Sequence, residues 1–80
     1  MMDIQMFKDL GKLADDRRAH IELKTYGFVI IVRKAIRGRI AEATEFIGYF
    51  EAENFANPLE LFAQRIDQAE ALLRQAEQQP

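Results

Sequence analysis

Residues 25–50 read TYGFVIIVRKAIRGRIAEATEFIGYF and combine the densest apolar cluster of the chain with its densest positive charge. Apolar side chains recur there at spacings of three, four and seven, which is the pattern of a helix that buries one face. The residues of this stripe are Tyr26, Val29, Ile36, Ile40, Ala43, Ile47 and Phe50. The stretch also holds five consecutive apolar residues, 28–32, which on a helix would point in every direction. In a helical chain, part of this apolar surface would therefore remain uncovered.

Residues 19–33 also fit a second interpretation, a β-hairpin. Apolar and other residues alternate on both sides of residues 24–27, and Gly27 suits a tight turn that needs a positive φ. The four consecutive β-branched residues 29–32 favour a strand as well. A hairpin alone is marginally stable in water, however, and the stripe runs in phase into residues 34–51, where Ala, Glu and Arg predict a helix. Helix is the preferred interpretation of residues 19–33, and the hairpin remains the alternative.

Two further helices flank this segment. Asp3 can cap a first helix that carries apolar residues at helical spacing and fades near Arg17. A third helix is predicted from Asn57, whose side chain can accept from first-turn amides, and from Pro58, whose fixed φ suits the first helical position. Glu60 stands where a capping-box carboxylate reaches back. The apolar stripe of this helix comprises Leu59, Phe62, Ile66, Ala69, Leu73 and Ala76.

These elements predict one small domain over residues 1–80, of mainly α class. It would have a short first helix, a long central helix over residues 26–52 and an antiparallel C-terminal helix, because the link at residues 53–56 is short. The alternative is an α+β fold with a β-hairpin at 19–33. The long central helix would extend beyond its partner and leave residues 28–32 uncovered, which predicts a homo-oligomeric helical bundle, with a dimer favoured. The predicted oligomer or partner interface is Tyr26, Phe28, Val29, Ile30, Ile31, Val32 and Ile36.

Charge is unevenly distributed along the chain. Residues 1–40 contain nine basic and five acidic side chains, whereas residues 41–80 contain two basic and eight acidic ones. The cluster Arg33, Lys34, Arg37 and Arg39 could contact nucleic acid or an acidic partner. Pairing of these residues with the acidic half of the same or a neighbouring chain is preferred, because the net charge is −2 and no nucleic-acid-binding motif accompanies them.

The chain carries few side chains that could act as nucleophiles or metal ligands. The chain contains neither Cys nor Ser, and His20 is the sole imidazole. No His or Glu occurs at the spacing of a helical metal site, and the four glycines are scattered singly rather than in a phosphate-binding loop. We therefore predict no catalytic, cofactor or metal site, and a protein that is not an enzyme.

The leading functional hypothesis is a small protein-interaction or oligomerisation module, an adaptor or regulator that acts through apolar helical surfaces. A nucleic-acid-binding regulator that uses residues 33–39 is the alternative. The N-terminus lacks the basic and apolar regions of a secretory signal, and the uncharged segment 25–32 is too short to span a bilayer. We expect a soluble cytoplasmic protein with no membrane contact and with itself or another protein as partner.

Overall fold

The chain has an α+β fold, with a three-stranded antiparallel sheet packed against helices. A computed structural model describes residues 3–79. Its elements, in chain order, are α1 (Ile4–Arg17), β1 (Ala19–Lys24), β2 (Gly27–Ile36), β3 (Arg39–Gly48), α2 (Tyr49–Asn54) and α3 (Pro58–Gln78). The strands follow one another across the sheet in the order β1-β2-β3, so β1 and β3 are its edges.

The prediction of a mainly α fold, and with it that of a helical bundle, is wrong. The predicted central helix over residues 26–52 is instead β2, β3 and the short helix α2. The turn between β2 and β3 consists of Arg37 and Gly38, whose φ values of 53° and 79° are those that a two-residue hairpin turn requires. The alternative hairpin at 19–33 is present as β1 and β2, but neither interpretation included the third strand, Arg39–Gly48.

The core lies between one face of the sheet and the helices. Phe28, Ile30 and Val32 alternate along β2 and point towards α3, as the period of two in a strand requires. The rings of Phe28 and Phe62 meet edge to face with centroids 5.0 Å apart. Burying side chains of this size stabilises the fold by about 2–3 kcal/mol each. The buried cluster is completed by Leu10, Ala43, Ile47, Ala52, Leu61, Ile66, Ala69 and Leu73.

The helix starts follow the sequence only in part. The cap of α1 is confirmed, because the carboxylate of Asp3 accepts a hydrogen bond from the Met6 amide at 2.9 Å. The start of α3 at Pro58 is confirmed as well. The side-chain cap expected from Asn57 is wrong, because the side chain of Asn57 accepts no hydrogen bond from the first turn of α3. The backbone carbonyl of Asn57 accepts from the Glu60 and Leu61 amides, as the carbonyl of an N-cap residue does.

Candidate interaction surfaces

One face of the sheet has no helix packed on its centre. Because neighbouring residues of a strand point to opposite faces, Val29 and Ile31 lie on the face opposite to that of Ile30. The register places Phe46 opposite Val29, and Thr44 opposite Ile31, on this same face. The buried cluster formed with the helices contains neither Val29 nor Ile31. We call this side of the sheet the open face.

An aromatic pair occupies one end of the open face. The rings of Tyr26 and Phe46 have centroids 5.5 Å apart, and their side chains are 60% and 47% exposed. Phe46 fits there because Gly27 and Gly48 have no side chain, and a Cβ on Gly27 would lie 2.9 Å from the Phe46 ring. The sequence thus leaves two large aromatic groups in contact with each other and with solvent.

Charged side chains surround the apolar centre of the open face. Arg33 donates to Glu42 at 2.8 Å across β2 and β3, and Lys24 approaches Glu22 at 3.1 Å along β1. The hydrogen bond and the charge of Lys24 lower the pKa of Glu22. Such exposed pairs add little to stability. An apolar centre with a charged rim is the usual anatomy of a protein–protein interface.

A second uncovered surface lies at the free edge of β1. A groove of about 340 Å³ separates α1 from β1, and its walls include Leu10, Ala14, Ala19 and Ile21. Leu23 also lines this groove, although its side chain is 62% exposed. No strand pairs with the outer edge of β1 in the described part of the chain.

The predicted interface residues lie on both sides of the sheet. Phe28, Ile30 and Val32 are inside the subunit, because they belong to the core. Ile31 lies on the open face, but its neighbours leave it only 9% exposed. The uncovered helix end that was the reason for predicting this interface does not exist. The members that reach the surface are Tyr26, which is exposed, and Val29 and Ile36, which are partly buried.

The exposed apolar residues that sequence reasoning missed include Phe46 and Ile40 of β3 and Leu23 of β1. Ile40 was assigned to the stripe that the predicted helix would bury, and Phe46 was assigned to the same helix. The signal that could have located Phe46 and Ile40 is Gly38, which suits the positive φ of a two-residue hairpin turn with a strand on each side.

The basic residues are largely paired within the chain. Arg33 contacts Glu42, Lys34 contacts Glu77 at 2.8 Å, and Arg37 donates to the carbonyl of Glu77. Pairing with the acidic half of the chain is therefore confirmed for Arg33 and Lys34. Arg39 is exposed at the start of β3.

A cleft of about 300 Å³ brings further arginines close to this region. Arg33 and Lys34 line it together with Arg17, Arg18 and Arg74. Hydrogen bonds to Asp67 and then Glu70 raise the pKa of Arg17 and neutralise its charge locally. Arg17 and Arg18 also stand at the C-terminal end of α1, where cations compensate the helix dipole.

Within residues 3–79, no three His, Asp or Glu side chains come together as a metal site would require. None of the helices described there combines the length and apolar character needed to cross a membrane. No family model, no curated protein and no solved structure matches this chain.

Proposed function

We propose that the protein is a non-enzymatic interaction and oligomerisation module whose open face contacts a partner protein. The observation that carries this proposal is the exposed pair Tyr26–Phe46 beside Val29, at one end of a sheet face that no helix covers. Aromatic residues are enriched where protein interfaces gain most of their binding energy.

The amount of apolar surface supports a specific contact. Aromatic side chains offer about 150–250 Å² each, so covering the exposed halves of Tyr26 and Phe46 would contribute about 2 kcal/mol per ring. The flanking charges of Arg33, Glu42 and Glu22 would fix the orientation of the partner and reject wrong ones rather than add affinity. We place the module in the cytoplasm as part of the same proposal, because a chain without Cys needs no oxidising compartment.

Nucleic-acid binding remains the second proposal, supported by the cleft that gathers Arg17, Arg18, Arg33, Lys34 and Arg74. Its weakness is that acidic groups of the chain already compensate three of these charges. Affinity for a single-stranded oligonucleotide should fall steeply with salt and on joint Arg33→Ala and Arg37→Ala substitution. Absence of salt-sensitive binding would remove this proposal.

The interaction proposal is tested by light scattering at micromolar concentration together with affinity capture from an extract of the source cells. Phe46→Asp and Tyr26→Asp should abolish capture of proteins that the unsubstituted chain retains, because each puts a charge into the apolar centre. Phe50→Asp is the matched control, since Phe50 is 81% exposed but belongs to α2 and not to the sheet. A strict monomer that captures the same proteins with and without Phe46→Asp would overturn the proposal.

A further inference from the structure

The outer edge of β1 is a free strand edge beside an apolar groove. Free edges expose backbone N–H and C=O groups that readily pair with another strand. Folded proteins commonly protect such edges with charges, bulges or a covering element. The edge of β1 carries the charged residues Glu22 and Lys24 on one face, but on the other it presents Ile21 and Leu23 towards the groove. Phe7 of α1, 47% exposed, lies at the same groove.

We propose that a second copy of the chain pairs with this edge, β1 against β1, with Ile21 opposite Ile21 of the second copy. The result is a six-stranded antiparallel sheet with both helix layers on one side and both open faces joined on the other. This inference rests on the proposed function, because it names the oligomer partner and the edge through which the copies meet.

Charge and the length of the paired segment together select the register. If the helices of both copies lie on one side of the joined sheet, each helix-facing residue of one β1 must pair with a helix-facing residue of the other. The two-fold axis must then pass through a residue of β1 and not between two residues. Pairing centred on Glu22 would oppose two carboxylates, and pairing centred on His20 would oppose two imidazoles. Pairing centred on Leu23 would place Glu22 opposite Lys24, but it would keep only residues 22–24 within the two strands. Pairing centred on Ile21 keeps residues 19–23 within the strands and places Glu22 opposite His20 of the second copy, twice by symmetry.

Side-chain size favours the same register. Leu23 then stands opposite Ala19 of the second copy, beside the groove whose wall is formed by Ala14, Ala19 and Ile21. The exposed side chain of Leu23 is thus covered by a position that has room for it. The cost is a contact between Lys24 and Arg18 at each end of the paired strands, where both side chains are in solvent and salt screens them.

Single cysteines test the register, because the chain has none of its own. Cα atoms directly opposite in an antiparallel pair lie about 4.5–5.5 Å apart, which is within the range of a disulfide. Ile21→Cys should therefore form a disulfide-linked dimer in high yield under mild oxidation. Leu23→Cys should not, because the two copies of residue 23 lie four residues apart along the paired strands, about 13 Å.

The double variant Ala19→Cys and Leu23→Cys should also form a disulfide-linked dimer, since these two residues face each other only between copies. Circular dichroism of the reduced variants establishes that each is folded before oxidation. Crosslinking by Glu22→Cys in place of Ile21→Cys, or by none of the variants, overturns the inference.

The two proposals fail in distinguishable ways. If Ile21→Cys does not crosslink but Phe46→Asp still abolishes capture of a partner, only the edge pairing is wrong. If the chain is monomeric and the Phe46→Asp variant captures the same proteins as the unsubstituted chain, the proposed function is wrong as well.

Discussion

The ring of Phe46 lies directly over Gly27, on the face of the sheet that no helix covers. A Cβ built on Gly27 would be 2.9 Å from the ring and 2.4 Å from the carbonyl oxygen of Ile47, and the φ of Gly27 is 151°. This position therefore has neither the space nor the backbone conformation for an L side chain. The glycine lets β2 begin its pairing with β3 at the aromatic end of the open face.

Gly27→Ala should lower the free energy of unfolding by about 3 kcal/mol, because strained φ and steric overlap with backbone both apply. Gly11→Ala is the matched control: nothing lies within 4 Å of a Cβ there, and the residue is inside α1. That substitution should stabilise the chain by about 0.5–1 kcal/mol. Urea unfolding followed by circular dichroism gives both values, and equal effects at the two glycines would contradict the geometry of the turn.

Ile30→Asp should unfold most of the protein. Ile30 is fully buried, so the substitution removes apolar contacts and buries an unpaired charge, at a cost above about 4 kcal/mol. A domain of this size has a total stability of that order. Glu45, which lies opposite Ile30 on β3, is only partly buried and should tolerate Ala with a loss below about 1 kcal/mol. A folded Ile30→Asp chain in near-ultraviolet dichroism would show that Ile30 is not in the core.

Arg17 joins the end of α1 to α3 through Asp67 and Glu70. The side chains of Arg17 and Glu70 are each about a third exposed, so solvent screens the pair and a coupling of about 0.5–1 kcal/mol is expected. A double-mutant cycle of Arg17→Met and Glu70→Gln measures this coupling, which should decrease as salt is added. A coupling above about 2 kcal/mol that is insensitive to salt would contradict the described exposure.

The two terminal helices were predictable because local signals and tertiary packing agree there. Asp3 caps α1, and Pro58 occupies the start of α3. The hairpin of β1 and β2 was visible as an alternative, through the β-branched run 29–32 and the position of Gly27. At the two terminal helices no competing period obscured the correct one, whereas the helical stripe from Tyr26 competed with the hairpin.

The third strand was not predicted because its composition favours a helix. Ala, Glu and Arg dominate residues 39–45, and the apolar residues Ile36, Ile40, Ala43 and Ile47 recur at helical spacing. In the sheet this stripe is divided, since Ala43 and Ile47 face the helices while Ile40 is 70% exposed. Pairing of β3 with the whole length of β2 outweighs the helix propensity of residues 39–45. The small side chains at residues 41 and 43 let α3 approach β3 closely.

The open face was not predicted, because of that same error. With residues 39–48 read as a helix, Phe46 could not be placed beside Val29, and no second face of a sheet existed to be left uncovered. The predicted surface was therefore centred on residues 28–32, most of which the fold itself buries.

The mass of the chain in solution tests most directly the central claim that this protein assembles with a second copy of itself. Light scattering across the micromolar range should give about twice the 9.3 kDa of the single chain, approaching that value as concentration rises. A mass that stays at 9.3 kDa throughout would contradict it.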